Sequence, residues 1–173
     1  LERESENDTL PKEFKWIYKG DNLTIREIKD NYDYVLIDCM PSLGMITINA
    51  LACSDKIIIP VQGEYLAAKG MGHLLKTVNR VHKQINPNLK IGGVLLTLVD
   101  KRTNLSKDVR DTINENYGHY VNIYNTEIPK AINTAKSTST GKSIFEFDKN
   151  SPVAEAYKNL AKEVLDNERT RTK

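Results

Sequence analysis

Four short runs rich in apolar residues, three of them almost unbroken, govern what this chain can fold into. They read YDYVLID (32–38), KIIIPVQ (56–62), IGGVLLTLVD (91–100) and VNIYNTEIP (121–129). A strand with one face in water alternates apolar with polar residues, whereas a strand covered on both faces need not. Between the runs lie segments of helical spacing. In LAAKGMGHLLKTVNRVHKQI, residues Leu66, Leu74, Leu75, Val78, Val81 and Ile85 recur at helical intervals until Asn86-Pro87 stops them. LGMITINALACS, small and apolar, suits a buried helix. Another helix is expected from about Leu105 to Tyr117, ended by Gly118. Ser151-Pro152, a cap and a first-turn proline, opens a last one with Val153, Tyr157, Leu160, Val164 and Leu165 on one side. Strand and helix alternate, so the expected fold is α/β with a mainly parallel sheet between helix layers.

At 173 residues the chain is long enough for one domain with a real core. Residues 1–22 are expected to be a tail or linker, with a short strand at FKWIYK (14–19) broken by Gly20-Asp21-Asn22. NLTIREIKDN reads as a short helix. The α/β domain is expected over 23–168, with a tail at 169–173. Leu rather than Met opens the sequence, which reads as a fragment of a longer chain. Cys39 and Cys53 sit in apolar company and read as reduced core thiols of a cytoplasmic protein. No apolar run approaches the roughly 20 residues needed to cross a membrane. His73, His82 and His119 have no metal-ligand spacing among them. With a net charge of only +2, nucleic-acid binding would have to come from a local patch.

Ligands of a parallel sheet sit beyond the carboxyl ends of its strands. Asp38, Gln62, Asp100 and Pro129 all fall at such ends. Asp38 is followed by a Pro-Ser-x-Gly turn, and a carboxylate at a strand end suits a magnesium ion that keeps several waters. The matching half of a phosphate site would be a glycine-rich loop at a helix N-terminus, with a lysine. STSTGKS (137–143) ends as such loops do. The ordinary pattern, however, needs glycine where Lys136 stands. The deviant K-G-G-x-G-K-S/T form needs Lys-Gly-Gly where the chain has Ser-Thr-Ser. This stretch is read as a decoy.

YDYVLIDCMPSLGMITINAL, SDKIIIPVQGEYLAAKGMGHLLKTV and GVLLTLVDKRTNL, in that order, resemble the ParA-type partition ATPases of the ParA/MinD group. These are deviant P-loop ATPases that move plasmids and chromosomes. The likeness runs from about Asp30 to Leu165. It implies the P-loop NTPase fold, here without the amino-terminal βα units, since residues 1–29 hold no match to the family's phosphate loop. By the same resemblance Asp38 stands for the Walker B acid that helps hold magnesium and its waters. Pro41, Ser42 and Gly44 match the second switch, with Met40 where the family has a first proline. Asp100 and Pro129 match positions around the adenine ring, and Arg102 matches a DNA-binding arginine. After Pro129 the family sequence is close to R-N-V-R-L-S-E-A-P-S-H-G-K-P, and this chain has KAINTAKSTSTGKS. The second arginine is Asn133 and the glutamate is Lys136. DNA contact here would rest on Lys130, Lys136 and Lys142, a stretch with three lysines and no acid.

The resemblance implies ATP and magnesium as ligands of the intact protein and a homodimer on non-specific DNA. It also implies a ParB-like stimulating partner and a place on the nucleoid in a bacterial cytoplasm. Removing the phosphate loop forfeits several donors, each worth roughly 2.7–4 kcal/mol to such chemistry. These 173 residues alone are therefore expected not to hydrolyse or hold ATP. A strand at Val35/Ile37 would also be left with an open edge and uncovered apolar surface. The rival reading is a non-catalytic DNA- or partner-binding module on the same fold. An unrelated flavodoxin-like enzyme lacks any glycine-rich or redox signature to support it.

Overall fold

The computed structural model describes residues 32–40, 42–63, 65–100, 102–103 and 105–171. The expected strand at 14–19 and helix at 22–31 lie outside the described residues, as does Pro41. Two compact units divide at Cys53/Ser54.

In the first unit the described chain runs without regular structure to a helix α1, Met45–Cys53. Residues 32–38, expected as a strand, are not assigned one, and their apolar side chains are open: Tyr34, Val35 and Ile37 are exposed, and Leu36 is 91% exposed. A strand exists through its neighbours' hydrogen bonds, and an apolar run alone cannot supply them. Cys39 is exposed rather than a core thiol. The helix is also less buried than its composition suggests, for Met45 and Ile46 face solvent while Thr47 and Leu51 are covered.

The second unit is built on two parallel strands, β1 (Lys56–Gln62) and β2 (Lys90–Thr97), joined through helix α2 (Tyr65–Gln84). Their register runs from Lys56 opposite Lys90 to Gln62 opposite Thr97 and skips Gly92. A third layer partner comes from 121–129, where the expected strand is reduced to two parallel bridges, Val94 to Ile123 and Val99 to Pro129. Helix α3 (Leu105–Tyr117) precedes it, with the bounds its sequence pattern predicts. Helices α4 (Ile132–Ser139), α5 (Ile144–Phe147) and α6 (Pro152–Arg171) complete the unit.

β2 is buried from Gly92 to Leu96, and its side chains feed two cores by strict alternation. Val94 and Leu96, with Ile59 and Val61 of β1, pack against Met71 of α2 and Val109 and Ile113 of α3. Leu95 points the other way, into Tyr124, Ile128, Ile144, Val153, Ala154 and Ala156. Burying each of the Val, Leu, Ile and Met side chains among these is worth roughly 1.5–3 kcal/mol. β1 is covered on one face only, exposing Ile58 and Pro60.

On α6 the buried face differs from the expected one. Val153, Ala154 and Ala156 are covered and Leu160 and Val164 pack on them, while Tyr157 and Leu165 are exposed. Small residues let the helix approach Tyr124, itself only 1% exposed. The start of α6 is as predicted: the Ala154 amide donates to Ser151 Oγ at 3.2 Å.

Candidate nucleotide and nucleic-acid sites

In the first unit, Asp38 is exposed on the segment leading to α1. Partial burial and, to a lesser extent, the charge of Asp38 push the neighbouring Cys39 thiol up from its ordinary value. Beyond it the Ser42 amide donates to Met40 O at 2.7 Å, and the Thr47 hydroxyl donates to Ser42 O. The Ile48 amide reaches back to Gly44 O at 3.1 Å. Ser42 and Gly44 thus form the entry to a helix whose first turn carries no acid. Among the described residues no three His, Cys, Asp or Glu side chains gather in metal-ligating distance. A single exposed carboxylate of this kind fits magnesium, which commonly takes one or two carboxylates and fills its remaining positions with water and phosphate oxygens.

In the second unit, β2 ends abruptly. Leu98 takes a positive φ of 53°, which turns the chain away from β1. Val99 then bonds in the opposite direction: its amide donates to Ile128 O and its carbonyl accepts from the Lys130 amide, both at 3.0 Å. Asp100, Pro129 and Lys130 are thereby brought together at the carboxyl end of β2. A tight turn at 100–103 adds Arg102. Asp100 Oδ1 accepts from the Arg102 amide at 3.1 Å and from Arg102 Nε at 2.9 Å, and Oδ2 accepts from Nη2 at 2.7 Å. The Arg102 side chain and then its amide hold the Asp100 carboxyl well below the usual carboxylate range, with Lys130 a smaller contributor. Thr103 closes the turn through its amide and its hydroxyl, both on Asp100 O at 3.1 Å. Sequence reading does not single out Thr103; a hydroxyl three residues after a strand-end aspartate is the signal that marks it.

Lys136 and Lys142 are exposed on α4 and the turn after it. Helix α4 is absent from the expected elements, because INTAKSTS is poor in helix formers. Its hydroxyls donate to carbonyls of their own helix, which satisfies them locally without favouring the helix: Ser137 and Thr138 to Thr134 O, Ser139 to Lys136 O, Thr140 to Ser137 O. Gly141, at φ 67°, then ends the helix, with Lys142 N donating to Ser137 O. Ser143 opens α5 by accepting from the Glu146 amide at 3.2 Å. The TGKS stretch is therefore a helix end followed by a helix cap, whereas a phosphate loop joins a strand to a helix N-terminus.

Several comparisons bear on this geometry. A family model described as an AAA domain matches residues 15–91. The sporulation initiation inhibitor protein Soj of Bacillus subtilis is 47% identical over 143 residues, which is 83% of this chain and 56% of that protein. The chromosome partitioning protein ParA of Caulobacter vibrioides is 39% identical over 140 residues, 81% of this chain and 52% of that protein. The crystal structure of cobyrinic acid a,c-diamide synthase from Mycobacterium smegmatis superposes with a TM-score of 0.69 at 32% identity, covering 83% of this chain and 51% of that one. The same protein bound to an ATP analogue and magnesium gives 0.59 at 36% identity, covering 64% of this chain and 43% of that one. The structure of Cyanthece apo McdA shares the fold alone, with a TM-score of 0.71 at 15% identity, covering 83% of this chain and 57% of that one.

The parallel strands, the helices around them and these neighbours define an α/β protein of the P-loop NTPase type. Within that class the chain belongs to the ParA-type partition ATPase family. It spans about half the length of the curated relatives it matches.

Proposed function

We propose that this chain is the part of a ParA-type ATPase that supplies residues for magnesium, for adenine and for the DNA backbone, in the service of DNA segregation. The observation that carries the reading is the gathering of Asp100, Arg102, Pro129 and Lys130 at the carboxyl end of β2, where an open parallel sheet holds its ligands. Asp38 would hold the ion through water, and Ser42 and Gly44, with Pro41, would sense the terminal phosphate. Asp100 and Pro129 would border the base. Arg102, Lys130, Lys136 and Lys142 would follow the phosphates of non-specific DNA. Magnesium would supply charge neutralisation at the phosphates. A homodimer, a ParB-like activator and a cytoplasmic, nucleoid-bound setting belong to the same reading. No helix among the described residues is long and apolar enough to cross a membrane.

By this reading residues 1–173 do not turn over ATP, because a K-G-G-x-G-K-T loop is not among them. Calorimetric titration of magnesium-ATP into the chain, with Asp38→Ala as control, tests it. No heat is expected. Binding that disappears in the control would mean that TGKS or residues 1–31 supply phosphate contacts, and the decoy reading would fall. Absence of binding to both nucleotide and DNA would count against the module reading as well.

A further inference from the structure

Arg102 is exposed, and something must hold so long a side chain in place before it meets DNA. An arginine on a loop samples many rotamers and gives up that freedom on gripping a phosphate. Here the guanidinium is fixed beforehand. Its Nε–Nη2 edge lies against both oxygens of Asp100, at 2.9 and 2.7 Å, in a two-pronged pair. The carboxylate is itself fixed, since Oδ1 also takes the Arg102 amide and Thr103 closes the turn from the other side. Nη1 has no hydrogen-bond partner among the described residues, and the side chain is 88% exposed. One edge of the planar group is used and the Nη1–Nη2 edge is turned outward, a fork that matches two phosphate oxygens.

We infer that Asp100 is a positioning residue for the DNA contact: it braces one edge of Arg102 so that the other edge is presented ready-formed to a phosphate. The inference rests on the DNA reading of Arg102 above. It makes a prediction whose sign is the reverse of simple electrostatics. An acid beside a DNA-binding face repels phosphate, so its removal would ordinarily tighten binding. Bracing predicts that its removal loosens binding.

The test is a double-mutant cycle on the chain with a fluorescein-labelled duplex of mixed sequence, at low salt, with and without magnesium-ATP. D100N is expected to weaken binding about two- to tenfold, the worth of ordering one long side chain. In an R102A background D100N is expected to cause no loss, or a slight tightening. R102K keeps the charge but has no second edge, so it should weaken binding and become insensitive to D100N. Circular dichroism and melting confirm that each variant folds, and the cycle itself separates bracing from general damage, which would persist in the R102A background. D100N binding as tightly as the parent, or tighter, overturns the inference and leaves the functional reading standing. A D100N loss that persists without Arg102 also overturns it. An R102A chain that binds like the parent, or a parent that does not bind DNA, overturns the functional reading and the inference with it.

Discussion

Two residues, one in the middle of β2 and one just past its end, show how backbone and packing shape the strand. Gly93 lies under Tyr124: a Cβ there would come within 2.7 Å of the ring and 3.1 Å of Asn122 O. Gly93→Ala is expected to cost about 1–3 kcal/mol by overpacking, measured by urea denaturation, and less in a Tyr124→Leu background where the ring is gone. Equal costs in both backgrounds would show that the ring is not the obstacle. Leu98 presents the opposite problem, a side chain where the backbone wants none, at φ 53°. Leu98→Gly should be more stable than Leu98→Ala by about 1 kcal/mol, against the usual order, since the left-handed region penalises any Cβ. The usual order would mean that the turn relaxes when the leucine goes. Neither position is readable in the sequence as special. The glycine sits in an ordinary apolar run, and nothing about LTLVD announces a reversal of hydrogen bonding at its second leucine.

Elements are legible where periodicity or caps decide them and illegible where neighbours do. β1, α2, α3 and the start of α6 follow from apolar spacing, Asn86-Pro87, Gly118 and Ser151-Pro152. The run at 34–38 has the composition of a strand and is not assigned as one, because pairing lies outside its own sequence. Helix α4 forms from residues that favour turns, so its own sequence does not announce it. Of the candidate site, the carboxyl-end position of Asp100 and Pro129 is readable, while the pairing of Asp100 with Arg102 needs the turn. One tether is also hidden. Glu163 of α6 accepts the amides of Asn125 at 2.7 Å and Thr126 at 2.9 Å, pinning the helix to the 121–129 segment. Burial would raise its pKa, but those amides, the Thr126 side chain and the Arg110 charge together outweigh burial and the net shift is downward. A folded-state pKa below the unfolded one means the stabilisation is fully present above the unfolded value, about 4.3, and is lost as pH falls through the folded value. Glu163→Gln should therefore lower stability at neutral pH by about 1 kcal/mol, solvent screening having trimmed the worth of a charged hydrogen bond. The gap should narrow as pH falls below the unfolded value and close once it has passed the folded one. A gap that stays constant from pH 7 to pH 3 would rule out the charged tether.

For the whole chain, charge and apolar surface point to partners. A net charge of +2 cannot attract DNA by itself, so the proposed contact must be local, and the salt dependence should reveal it. Replacing Lys136 and Lys142 by alanine together is expected to lower the slope of log affinity against log salt by about two, one for each phosphate no longer neutralised. An unchanged slope would remove α4 and its following turn from the DNA face. The open apolar side chains of 34–46, among them Leu36, Met45 and Ile46, are consistent with the proposed pairing of two chains. Light scattering at high concentration should give a dimer mass, and a persistent monomer would count against it. The double burial of β2 also carries a consequence for how the molecule comes into being. Its partners lie in β1, more than thirty positions upstream, and at Ile123 and Pro129, about thirty downstream. One core draws on β1, α2, α3 and Val121, and the other on Tyr124, Ile128, Ile144 and the start of α6. On a ribosome, then, the Leu95 side of β2 stays uncovered until residue 156 has left the exit tunnel, and the apolar heart of β2 waits, half-dressed, for the chain behind it.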